Sequence, residues 1–239
     1  MSFPSIDLSR FSTAISDSVE GFVSALQRAS NPKQLWQDEC KKAYDAGDWQ
    51  KLWNVMYAGA VGAVFQGKSV ASFMLKNFLL KGGDVNWDYT DFLNQPVFPG
   101  FGDSWLKNAP SVMAVANQLD SAAKTEVLNL VKSGKTNGTV YKDGHVVQKG
   151  DVDGDSYYAV GKIHLKGEFK FSVETEWVTN KRYVKIERVY RFDDYYDWQP
   201  GAKGGILPHD YPIALSRNGL AKEFWVRVKF GQPEFKIYI

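Results

Sequence analysis

The chain has little of what usually announces a mechanism. One cysteine, Cys40, stands among 239 residues, so no internal disulfide can form. The fold must hold by packing, and a chain of this length can bury a core without staples. Cys40 has no His or Asp neighbour to activate a thiol and reads as a small residue on a helix. Charge of one sign is also lacking: 29 Lys and Arg face 27 Asp and Glu. Without a basic block, no nucleic-acid partner is expected. The most apolar stretch, residues 55–65, is shorter than the ~20 residues of a membrane span and is followed by Gln66 and Lys68. The opening Met1-Ser2-Phe3-Pro4 has neither the basic start nor the apolar run of a signal peptide. Any export is therefore expected by another route.

Several motifs are missing too. His145, His164 and His209 are scattered, with no H-E-x-x-H and no Cys/His pair, which argues against structural zinc. No G-x-S-x-G elbow occurs. Ser133-Gly134-Lys135-Thr136 resembles the end of a P-loop, but Asn129 holds the place of its first glycine and the segment follows a helix.

What is there begins as helix. Leu8, Phe11, Ile15, Val19, Phe22 and Leu26 recur every three or four residues, on one face, with Asp7 or Ser9 as the cap. Asn31-Pro32 predicts a second helix start. Further helices are predicted over 48–66 and 69–80, stopped by Lys81-Gly82-Gly83. Residues 84–107, rich in aromatics, proline and glycine, read as an irregular link. Two more helices are predicted over 109–118 and 121–131, closed by Gly134.

From Thr139 the period becomes two. Lys142-Asp143-Gly144 between β-formers predicts a hairpin turn. Strands are expected over 156–165, 168–177, 182–191, 224–230 and 235–239, with Gly167 and Asn180 marking turns. Val184 and Ile186 share a face that Val189 does not, which leaves the register of that strand open. The fold class is α+β: a helical N-terminal half, then a mostly antiparallel sheet or half-barrel.

Two acidic segments are candidates for chemistry. Asp151-Val152-Asp153-Gly154-Asp155 has alternate aspartates that could ligate calcium; a solvated hairpin turn is the reading preferred. In Arg191-Phe192-Asp193-Asp194-Tyr195-Tyr196-Asp197-Trp198, three carboxylates fall within five residues where a strand meets a loop. Crowded carboxylates repel and favour a divalent cation. A tyrosine hydroxyl can donate to phosphate, and Pro200-Gly201 with Gly204-Gly205 lets backbone approach a ligand. Metal-assisted attack on a phosphate ester suits this chemistry.

These residues resemble the colicin M family, whose signature is Asp-x-Tyr-Asp followed by a histidine. Asp194-Tyr195-Tyr196-Asp197 matches it. Upstream, Ala109-Pro110-Ser111-Val112-Met113-Ala114-Val115-Ala116, Val131-Lys132-Ser133-Gly134, and Gly154-Asp155 with Gly161, His164 and Leu165 are similar in order. Downstream, so is Leu215-Ser216-Arg217-Asn218-Gly219. The resemblance covers 108–239 as a catalytic domain and leaves 1–107 as a helical delivery region without the family's import motif. It implies a toxin that hydrolyses lipid II between undecaprenyl and pyrophosphate with magnesium or calcium, in the periplasm of a target bacterium. It further implies a cognate immunity protein and a receptor or delivery machinery. Asp194 and Asp197 then hold the metal or activate water, Tyr196 orients the pyrophosphate, and Asp193 supports them. The family histidine falls about six residues after the second aspartate, where this chain has Lys203-Gly204. His209 in a longer loop is expected to replace it, with Lys203 the alternative; Arg191 or Arg217 would supply positive charge. The apolar helices of 56–80 could touch the membrane peripherally, although core packing explains them as well. Two rival readings are a pore-forming module without catalysis and a hydrolase of another polyprenyl pyrophosphate.

Overall fold

The structure is a computed structural model. It describes residues 13–62, 64, 69–90, 104–149, 153, 160, 162–198, 203–204 and 207–239. The chain forms two compact units. One comprises Met1–Gly83 with Asp197–Phe224, the other Asp84–Tyr196 with Trp225–Ile239.

The first unit is mainly helical. Among its described residues are α1 (Thr13–Arg28), α2 (Pro32–Asp45), α3 (Trp49–Val61) and α4 (Ser69–Leu79). The caps follow the sequence. The Asn31 side chain accepts from Gln34 N–H at 3.1 Å and the Asp48 side chain from Lys51 N–H at 2.9 Å, satisfying donors that the first turn leaves open. The expected Asp7 and Ser9 caps, with Leu8 and Phe11, lie outside the described residues. Helix α3 stops at Gly62, earlier than its apolar pattern suggests. Its interior Gly59 is demanded by packing: a Cβ there would lie 2.1 Å from Trp36 Nε1, whose indole donates to the Val55 carbonyl at 2.7 Å. Leu52, Met56, Val70, Met74 and Phe78 are buried, so the apolar helices of 56–80 pack as core. Cys40 is buried among them, and burial pushes its thiol pKa up. A short hairpin, β5 (Lys203–Gly204) and β6 (Leu207–Pro208), leads into α7 (Asp210–Arg217), which packs on α3.

The second unit is an open five-stranded sheet in the order β1-β7-β4-β3-β2. Its strands are β1 (Val85–Tyr89), β2 (Asn137–Val147), β3 (Lys162–Thr175), β4 (Arg182–Tyr196) and β7 (Phe224–Tyr238). β1 pairs parallel to β7, while β2, β3 and β4 pair antiparallel in turn. The fold class is α+β, as the change of period implies. Among its described residues are the short α5 (Ser104–Lys107) and the long α6 (Pro110–Lys132), which packs on β2 and β3. Val112, Ala116, Leu119, Ala123 and Val127 are its buried apolar face, the i, i+4, i+7 stripe of a core helix. It ends where Lys135 N–H bonds Leu130 O and Gly134 N–H bonds Val131 O, with Gly134 at φ +95°. That is a glycine helix cap rather than a phosphate loop.

Four expectations are corrected. Residues 84–90 are not all irregular, because Val85, Trp87 and Tyr89 alternate inward on β1. The helices of 109–118 and 121–131 are one, since Asp120 at their junction is buried with partners. Asp143-Gly144 and Gly167 are not turns but strand interior, with Gly144 opposite Leu165 and Gly167 opposite Tyr190. Each glycine answers a close approach: a Cβ on Gly144 would meet Val115 Cγ1 of α6 at 2.8 Å, and one on Gly167 the Phe169 ring at 2.6 Å. Finally, 224–230 and 235–239 run together as β7. Asn180 does turn the chain, at φ 54°, and β4 buries Val184, Ile186, Tyr190 and Phe192 on one face with Val189 on the other.

Asp120 joins these layers. Arg188 Nη1 and the Tyr190 hydroxyl both donate to its carboxylate, and Arg188 Nε also donates to Pro233 O of β7 at 2.9 Å. Asp120→Ala removes the carboxylate partner of the half-buried Arg188 and the acceptor of the buried Tyr190 hydroxyl, and is expected to cost about 3 kcal/mol. Tyr190→Phe removes one hydrogen bond to a charged group, worth about 1.5 kcal/mol. Denaturant unfolding of the two variants checks this ordering.

Candidate active site

Strand β4 runs five residues further than its sequence pattern suggests, and this carries the Asp-Asp-Tyr-Tyr segment into regular structure. On a strand, neighbours point to opposite faces. Asp194 and Tyr196 therefore share the face of Tyr190 and Phe192, while Asp193 and Tyr195 take the other. Their exposure follows: Asp193 and Tyr195 are exposed, Asp194 and Tyr196 half-buried. The carboxylates read as crowded in the sequence are thus divided, with Asp193 turned away from Asp194. Tyr195 packs its ring 5.0 Å from that of Trp225 on β7. Arg191, exposed, faces the same way as Asp193.

Burial pushes the pKa of the Tyr196 hydroxyl well above the tyrosine range, and the Asp194 carboxylate adds to the shift. Across neutral pH this group is a hydrogen-bond donor and not a base.

Asp197, exposed, begins the return of the chain into the helical unit. There the next residue, Trp198, is held between two rings. It meets Phe78 edge-on at 5.7 Å and His209 edge-on at 5.1 Å. The contact brings the His209 ring against the side chain of the residue that follows Asp197. His209 is half-buried and stands at the start of α7. Trp198 is the residue that sequence reasoning undervalued. Its signal was its place directly after Asp197.

The departure at Lys203 has a simple geometry. In the β5–β6 hairpin, Lys203 is the cross-strand partner of Pro208, and Gly204 of Leu207. Antiparallel partners are about 5 Å apart at Cα. The chain therefore leaves at 203 and returns beside it at 208, one residue before His209. The position six after Asp197 is thus paired with the residue that precedes His209. Arg217 is exposed in the last turn of α7, where a cation suits the helix dipole.

Among the described residues, no three His, Cys, Asp or Glu side chains form a ready metal cage. The two aspartates of the motif fall in different units, Asp194 near the end of β4 and Asp197 at the start of the return into the helical unit.

Asp153, in the segment weighed for calcium, has a different task. It is 4% exposed, and its carboxylate accepts from the N–H groups of Lys149 and of Ser111, the latter at 2.8 Å. Ser111 lies in the first turn of α6, whose cap position is Ala109 and has no side-chain acceptor. Asp153 therefore caps α6 from elsewhere in the chain, which corrects the reading of a solvated turn; Asp151, Val152, Gly154 and Asp155 lie outside the described residues. Burial opposes ionisation, but the hydrogen bonds from Lys149 and Ser111 prevail and hold the carboxyl below its ordinary range.

No protein-family model matches this chain, and no curated protein matches it. Asp153→Ala is expected to cost about 0.5–2 kcal/mol at neutral pH, the worth of a helix cap. Because the folded pKa is lowered, that stability is present above the unfolded value of about 3.9 and is lost as pH falls through the folded one. Denaturation of wild type and variant along a pH series should show the difference shrinking only in acid.

Proposed function

We propose that the protein is a colicin M-like antibacterial toxin, a divalent-metal-dependent hydrolase of lipid II. The observation that carries this reading is the packing of Trp198 on His209. It supports a site in which the second aspartate of the Asp-x-Tyr-Asp motif and the histidine lie together, despite the spacing in sequence. The hairpin from Lys203 to Pro208 supports it further.

In this reading, water attacks the linkage between the polyprenyl alcohol and pyrophosphate. One water is consumed, the ester bond breaks, and the products are undecaprenol and the pyrophosphoryl-linked muropeptide. Tyr196, kept protonated by burial, donates to a pyrophosphate oxygen. Asp194 and Asp197 activate the water or hold magnesium or calcium, which when bound would offset charge on the phosphates. His209 supplies an imidazole, the side chain best able to take and return a proton near neutrality. Action in the periplasm of a target cell, an immunity protein and delivery through residues 1–107 belong to the same proposal. The pore-forming reading is less well supported. The apolar residues of α3 and α4 are buried in the core of their own unit, and no described helix is long and apolar enough to cross a membrane.

Incubation with labelled lipid II, with magnesium, calcium or chelator, tests the proposal. The two products are expected with metal and absent with chelator. Asp194→Ala, Asp197→Ala and His209→Ala should each lose about 100-fold or more of the rate, and Lys203→Ala should lose far less. A rate that depends on Lys203 but not on His209 would reverse their roles. Lipid II left intact by the folded protein in every condition would refute the activity, and cleavage of undecaprenyl pyrophosphate alone would shift the substrate.

A further inference from the structure

Two of the three histidines scattered in the sequence come together in the fold. Because β2 runs straight through Asp143-Gly144, His145 becomes the direct cross-strand partner of His164 on β3. Their rings stack at 4.6 Å, with 17° between planes. The Asp143 carboxylate lies 2.7 Å from His164 Nε2. His145 and Asp143 are exposed and His164 half-exposed, so the group opens to solvent.

This combination has a chemical meaning. Cross-strand side chains begin about 5 Å apart at Cβ, within reach of one ion once the rings turn out of the stack. An Asp143 carboxylate that accepts from Nε2–H fixes the His164 tautomer and leaves Nδ1 as a lone-pair donor. A carboxylate behind a histidine is the usual support of a metal-binding imidazole. Two imidazoles favour zinc, nickel or copper over magnesium and calcium, which prefer oxygen.

We propose that His145 and His164, supported by Asp143, form a two-histidine site for a zinc-type divalent ion at the β2–β3 edge of the sheet. Water completes the coordination, consistent with the lack of a three-ligand cage among the described residues. The ion would pin β2 to β3. The proposal rests on residues of β2 and β3 alone and does not depend on the roles given to the proposed catalytic residues.

Isothermal titration of the untagged full chain with zinc chloride, in excess magnesium and a non-coordinating buffer, tests it. Saturable binding of one ion per chain is expected. His145→Gln and His164→Gln should each weaken it at least 100-fold, and Asp143→Asn by about 10–100-fold. His209→Gln should leave it unchanged. Zinc should raise the melting temperature of the wild type and not that of the double His→Gln variant; both histidines are solvent-facing, and circular dichroism confirms that the variants fold. Equal zinc binding by the wild type and the folded double variant would overturn the proposal, as would loss of binding in His209→Gln.

Discussion

The sheet unit depends on one charged group in an apolar layer. Asp120 lies on the face of α6 that otherwise presents Val112, Ala116, Leu119, Ala123 and Val127. It accepts from Arg188 and from Tyr190, and the same guanidinium reaches Pro233 O on β7. A buried ion pair seldom outdoes apolar packing in net stability; its stronger effect here is on register. Sliding α6 by a turn, or β4 by two residues, would take the buried carboxylate away from its two donors. Burial, and then the hydrogen bond to Asp120, holds the Tyr190 hydroxyl protonated and donating. Since 188, 190, 192, 194 and 196 share one face of β4, what fixes Arg188 also fixes where Asp194 and Tyr196 begin.

The helices of the first unit were legible because their signals are local. Asn31-Pro32 and Asp48 cap as their chemistry requires, and the apolar spacing finds the buried face. The sheet was legible as strands but not as pairings. Gly144 and Gly167 look like turns in sequence because glycine is the usual turn residue. Only the partners show the other cause: α6 crosses over Gly144, and the Phe169 ring occupies the space a Gly167 side chain would take. Asp120 misled in the same way. A carboxylate between two apolar stretches reads as a break until Arg188, 68 residues away, supplies its partner. β1 was hidden because its parallel partner β7 lies 141 positions on, at Val85 against Val226.

The candidate site divides along the same line. Its residue types and their placement at a strand end could be read directly, whereas their facing could not. The split of Asp193 from Asp194 follows from β4 continuing to Tyr196, and strand length is set by cross-strand partners that the local pattern does not contain. The stacking of His145 on His164 depends on β2 running on through Asp143-Gly144, a continuation that the local glycine signal does not contain.

The excursion at 203–208 bears on how the helical unit matters. A hairpin whose ends are neighbours can be added to a loop with little effect on what flanks it, since a short extra closure costs little entropy. The ring of Trp198 packs against that of His209. Trp198 in turn rests on Phe78 of α4, in a unit that also binds Lys222 N–H to the Phe78 carbonyl at 3.0 Å. The support of the proposed histidine therefore begins in residues 69–79, well before the segment that resembles a catalytic domain. The physical dependence is that residues 1–107 contribute α4, and α4 contributes the surface on which Trp198 seats His209.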